Sequence, residues 1–201
     1  MADFDITDTS DPWVVFVTHG SAVVQKQISG LEGKGGRCYY FDSRRLLDEP
    51  GIHQSFAEAL RFPGYYGNNW DALVDCLDDL CAEVTGGSGI VGVIQEADRL
   101  LDADHFPLFV SVLCQGAERA NSWLDRDGFP LDRPAIAEHF VFEFRAFDPG
   151  RIVRLVEQPD LIVTQGDGFV GAVLDPAEWH GGPALPGAAA PPPPRAAAPP
   201  R

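Results

Sequence analysis

The sequence predicts an α/β fold, a small and mainly parallel β-sheet packed with helices, with a β-hairpin added near the C-terminal end. Three observations carry this. Trp13-Val14-Val15-Phe16-Val17 and Ile90-Val91-Gly92-Val93-Ile94 are continuous apolar, β-branched runs, the pattern of strands covered on both faces. They alternate with segments whose apolar residues recur at three- and four-residue steps, the order of strand–helix–strand units. Beyond these, Leu161-Ile162-Val163-Thr164 and Phe169-Val170-Gly171-Ala172-Val173 flank the turn Gln165-Gly166-Asp167-Gly168, which reads as a hairpin. A length of 201 residues suits one domain with tails.

In chain order, residues 1–11 are polar and are expected to be disordered. The main domain spans 12–147 and begins with the Trp13 strand. Ser21 to Leu31 is ambiguous, with a short helix as one reading, and the glycines from Gly30 to Gly36 suggest a flexible turn. That turn is not a phosphate loop, because Gly35 follows Lys34 where Ser or Thr is required. Cys38-Tyr39-Tyr40-Phe41 is a second strand, and Gly51 to Arg61 a helix with Ile52, Phe56 and Leu60 inward. Gln95 to Leu101 reads as a helical turn, Phe106 to Trp123 as a longer helix, and Asp125 to Asp132 as a turn. His139 to Phe144 alternates like a strand with one wetter face. A C-terminal extension, 148–180, opens on a helix started by Asp148-Pro149 and contains the hairpin. The Pro/Ala-rich stretch 181–201 cannot bury a core and is expected to be a disordered tail.

The stretch from Phe62 to Leu80 stands apart. Pro63, Gly64 and Gly67 punctuate a loop, and Asn68 or Asn69 can cap the helix that follows. On that helix Trp70, Leu73, Val74, Leu77 and Leu80 or Cys81 share an apolar face, while Asp71, Asp75, Asp78 and Asp79 recur on another. Asp71 suits the helix dipole; Asp78 and Asp79, near the C-terminal end, oppose it. No Lys or Arg lies between Asn68 and Glu83 to pair with them, and like charges at these spacings cost a helix roughly 0.2–0.5 kcal/mol per pair. A cationic partner would offset that cost; a solvated face of an acidic protein is the plainer reading.

Tyr65-Tyr66-Gly67-x-Asn69-x-Asp71-Ala72-Leu73-x-Asp75-Cys76-Leu77 resembles the signature of the barstar family, intracellular inhibitors of barnase-type ribonucleases. The similarity runs roughly from Arg37 to Arg145 and is strongest from His53 to Leu77. It implies a barstar-like fold for the main domain and a partner-binding surface made by Tyr65, Gly67, Asn69, Asp71, Val74, Asp75, Asp78 and Asp79. In that likeness Asp75 is the central phosphate mimic, Asp71 a second carboxylate, and Tyr65 a rigid stacking aromatic. The departures are Val74 and Leu80 where the prototype inhibitor has tryptophans, Asn68 for a glutamate and Asp78 for a threonine. A late-helix acid of the prototype aligns equally with Gln115 or Glu118.

The formal net charge of −15 and the pI near 4.5 argue against direct binding of nucleic acid or an anionic membrane, which need clustered Lys and Arg. No apolar run approaches 18 residues and Met1 to Asp5 is acidic, so the reading is a cytoplasmic protein without a membrane segment. Cys38, Cys76, Cys81 and Cys114 form no C-x-x-C pair, and the five histidines are dispersed, so packing is favoured over disulfides or metal. The expected function is inhibition of a basic ribonuclease by a protein that is not an enzyme, carries no cofactor and is a monomer when free. The alternatives are an immunity or regulatory module for a non-nuclease partner, and a metal-binding protein or enzyme using Asp71, Asp75 and Asp78.

Overall fold

The computed structural model describes residues 4–80, 82–122, 136–175 and 177. In order these form β1 (Val14–Thr18), α1 (Ala22–Gly33), β2 (Arg37–Asp42), α2 (Glu49–Leu60), α3 (Trp70–Asp78), α4 (Ala82–Thr85) and β3 (Gly89–Gln95), then α5 (Phe106–Ser122), β4 (Ala137–Phe144), α6 (Pro149–Val156), β5 (Leu161–Gln165) and β6 (Phe169–Leu174). Short 3-10 turns occupy Ser43–Arg45 and Ala97–Leu100. The strands make one sheet in the order β2-β3-β4-β1-β6-β5. β2, β3, β4 and β1 run parallel; β6 is antiparallel to β1 and to β5. The α/β class, the mainly parallel sheet and the C-terminal hairpin are therefore as the sequence predicts.

Alternate strand residues feed two apolar layers, because successive side chains point to opposite faces. Val14, Phe16, Ile90, Ile94, Phe140, Phe142 and Phe144 join the core beneath α2, α3, α5 and α6. Val15, Val17, Val91, Val93 and Val141 join a smaller core with Val24, Ile28 and Leu31 of α1. Aromatic rings dominate the larger layer: Phe16 stacks on Phe142 at 5.2 Å and Phe41 on Phe56 at 4.3 Å. Capping fixes helix starts where the sequence supplies acids: Asp48 accepts from Gly51 N at 2.8 Å and Asp148 from Arg151 N at 3.0 Å.

Four expectations need correction. Residues 4–11 take part in the fold: Phe4 and Ile6 are buried in the smaller core, with the Phe4 ring 4.8 Å from Phe169 and Ile6 N bonded to Gln27 Oε1. Two apolar side chains among polar ones outweigh the average composition. The glycine turn expected from Gly30 is helical to Gly33, since α1 buries Leu31 and gains from continuing past it. β4 has no wetter face. It lies between β3 and β1 and is buried along its whole length. Two of its polar side chains find internal partners: His139 Nε2 lies 2.6 Å from Asp8 O, and Glu143 meets His19 Nδ1 at 3.0 Å and Gly20 N at 3.3 Å. Finally, the acidic helix stops at Asp78, capped by Asp79, and a separate turn, α4, follows. Acids crowded at a C-terminal end oppose the dipole, so extension is disfavoured there. Cys81, Trp123, the turn from Asp125 to Asp132 and the 181–201 tail lie outside the described residues. Among the described residues no helix is long and apolar enough to cross a membrane.

Candidate functional site

The loop joining α2 to α3 is held from beneath. Arg61 adopts a left-handed conformation that ends α2, and Phe62 N bonds back to Ala57 O at 3.1 Å. A turn then closes from Tyr66 N to Pro63 O at 2.9 Å. The two adjacent tyrosines take opposite parts. Tyr66 points inward, its hydroxyl 2.6 Å from His53 Nδ1 and its ring edge-on to Phe62 at 4.9 Å. Tyr65 is 83% exposed, the most exposed large aromatic among the described residues. Burial lowers the His53 pKa and raises that of the Tyr66 hydroxyl, so both are neutral near pH 7 and the pair is an uncharged hydrogen bond.

Asn69, not Asn68, caps α3: its Oδ1 accepts from Ala72 N at 2.9 Å, while Asn68 sits at φ 49° and donates to Tyr66 O. A Cβ at Gly67 would meet Asn69 Nδ2 at 3.1 Å, so the small residue leaves room for the cap. On α3, Leu73 and Leu77 are buried and Trp70 packs against His53 and Phe109. Asp71, Asp75 and Asp79 are exposed and Asp78 is half-buried. Val74, included in the partner-binding surface by the resemblance, is only 4% exposed and belongs to the core. At three residues from both Leu77 and Asp71 it falls on the packed side of the helix, and its short side chain does not reach round to the rim.

A cleft of about 340 Å³ separates the loop from the last turn of α3. Leu60, Phe62, Pro63 and Leu80 form its apolar side, and Tyr65, Asp75 and Asp79 converge on its rim with Arg61 and Cys76. Burial, reinforced by Asp75 and Asp79, pushes the Cys76 thiol up, so it is a neutral lining group. Gly67, Asn69 and Asp71 stand at the other end of α3, a turn or more from the cleft. Of the two late-helix candidates, Gln115 donates to Ser111 Oγ at 3.1 Å and Glu118 is half-buried on α5.

Two supporting features escape local sequence reasoning. α3 lies on α5 at a glycine: a Cβ on Gly116 would stand 2.8 Å from Leu77 Cβ. Three residues on, Arg119 donates from Nη1 to Asp75 Oδ1 at 3.0 Å. The absence of a cation near Asp75 in sequence is thus reversed in space by a residue 44 positions away. The Gly-x-x-Arg spacing on α5 is the only trace of it, since residues three apart share a helix face.

Residues 37–131 match the family model described as barstar (barnase inhibitor), a span that runs from β2 through α5 and holds the whole loop and α3. No curated protein and no solved structure matches the chain. Through that segment, which carries the Tyr-Tyr-Gly loop, the capped acidic helix and the glycine seat beneath it, the chain is similar to the barstar family.

Proposed function

We propose that the protein is an intracellular inhibitor of a basic, barnase-type ribonuclease, and that it blocks the RNA-binding cleft with α3 and the loop before it. The observation that carries this reading is the convergence of exposed Tyr65 with Asp75 and Asp79 around one cleft, on a helix whose other face is locked into the core. A ribonuclease presents Arg, Lys and His to hold phosphates. Carboxylates fixed on a rigid helix can occupy those positions through charge-assisted hydrogen bonds, without the entropy cost of ordering a mobile segment. Asp75 is the centre, Asp71 and Asp79 extend the negative row in both directions, and Tyr65 supplies the flat surface against which a base-stacking residue of the enzyme rests. The net charge of −15 steers a basic partner toward this face and makes association salt-sensitive. Cys38, Cys76 and Cys114 are free thiols, as suits a reducing compartment.

The test is titration of a barnase-type ribonuclease with wild type, Asp75→Ala and Asp79→Ala, following RNA cleavage. Wild type inhibits stoichiometrically. Losing a carboxylate that is desolvated against cations costs about 3–5 kcal/mol, so Asp75→Ala weakens inhibition by roughly a hundred- to several-thousandfold. A rim acid is worth about 1 kcal/mol or less, so Asp79→Ala weakens it by no more than about fivefold. Equal effects of the two substitutions would place the interface elsewhere.

A further inference from the structure

The ion pair between Arg119 and Asp75 places a cation directly on the central carboxylate of this face, which opposes the proposed partner. Asp75 is 62% exposed at its side chain and Arg119 only 19%, so the guanidinium reaches the carboxylate from the protein side and leaves its outer side to solvent. Arg119 takes Oδ1; among the described residues no group bonds Oδ2. As a stabilising contact the pair is weakly motivated, because an ion pair with one open partner adds little to folding. The seam between α3 and α5 is already set by Gly116 against Leu77. Its effect on an incoming cation is larger. A lone ammonium approaching Oδ2 gains one carboxylate and meets a guanidinium held on the same group, and two cations on one carboxylate repel.

We propose that Arg119 is an internal counter-cation that sets how much positive charge a partner must bring before it can engage Asp75; the inference rests on reading this face as the ribonuclease site. A partner with a single exposed lysine is turned away. One with several clustered cations, as a phosphate-binding cleft must have, outweighs the one guanidinium held on Asp75. Arg119 is a positioning and selectivity residue, acting through Asp75 and not by contact with the partner. It gives an acidic protein a means of refusing the many basic surfaces it meets.

Two variants separate charge from shape: Arg119→Gln removes the charge and keeps a donor amide on a similar stem, and Arg119→Lys keeps the charge and loses the planar fork. Each is checked for an unchanged denaturation midpoint and titrated against two probes, a barnase-type ribonuclease and an octa-lysine peptide, at low and physiological salt. Arg119→Gln binds octa-lysine about tenfold more tightly at low salt, with a steeper salt dependence, and Arg119→Lys stays within about threefold of wild type. In an Asp75→Asn background the gain from Arg119→Gln falls below about threefold. Binding by Arg119→Gln that is unchanged or weaker overturns the proposal, as does a full gain in the Asp75→Asn background. If wild type leaves the ribonuclease active, the reading of the site fails, and the octa-lysine arm still decides the role of Arg119.

Discussion

Gly116 offers a sign test of the geometry beneath the site. Replacing glycine by alanine inside a helix normally stabilises it by roughly 0.8–1.0 kcal/mol, since alanine loses less backbone entropy on folding. At Gly116 the new methyl would lie 2.8 Å from Leu77 Cβ and 2.8 Å from Leu77 Cδ1, well inside van der Waals contact. Leu77 is fully buried and its Cβ is fixed to the α3 backbone, so relief requires α3 itself to move. Overpacking of this kind costs about 1–3 kcal/mol, which exceeds the propensity gain and leaves Gly116→Ala destabilising by about 0–2 kcal/mol. The control is Gly30→Ala in α1. There the methyl would meet only Thr7 Cγ2, at 3.8 Å, so the propensity gain stands nearly whole. Urea denaturation of both variants reads the two signs directly, and ribonuclease titration asks whether displacing α3 also weakens inhibition. A Gly116→Ala protein as stabilised as Gly30→Ala would refute the close seating of α3 on α5.

Two further predictions concern groups under the loop and sheet. Tyr66→Phe removes the hydroxyl beside His53 Nδ1 and leaves a buried ring nitrogen without its partner, a loss of about 1–3 kcal/mol in denaturation; an unchanged midpoint would mean the bond is idle. Burial lowers the pKa of both His53 and His139, so each stays neutral in the folded state while its unfolded counterpart protonates below about pH 6.5. The unfolded chain then binds more protons, and stability is full above about pH 6.5 and falls as the pH drops below it, by at most about 1.4 kcal/mol per pH unit for each ring. Urea midpoints at pH 7.5 and 5.5 measure this, and equal midpoints would show that neither ring is buried as described.

Period and punctuation made most of the fold legible. The β1 and β3 runs are apolar at every position because helices and the N-terminal segment cover both faces, and that pattern survives without knowledge of the partners. What failed to read depends on distant residues. Nothing local marks Phe4 and Ile6 as core, because the layer that buries them is built by α1 and Phe169. The wet face expected for β4 is dry because His139 and Glu143 find partners in the N-terminal segment and the β1–α1 turn. At the site, helical spacing separated Leu73 and Leu77 from Asp71 and Asp75. Helical spacing also put Val74 on the apolar face, and it lies in the core; its place in the partner-binding set came only from the resemblance. Arg119 was illegible because an ion pair across 44 residues leaves no periodic signal.

The added strands and the site meet at α5. One side of that helix seats α3 through Gly116 and holds Asp75 through Arg119. Other positions face the C-terminal extension: Ser111 Oγ donates to Asp160 Oδ2, and Cys114 Sγ lies 3.6 Å from Ala172 O of β6. β6 is in turn paired with β1, and β1 with β4. α5 is thus clamped between α3 and strands β1, β4 and β6. Preorganised carboxylates bind well only while their helix holds its position, because a shift of the helix spoils every charge-assisted bond at once. The segments flanking the family match therefore pack around the helix on which α3 rests.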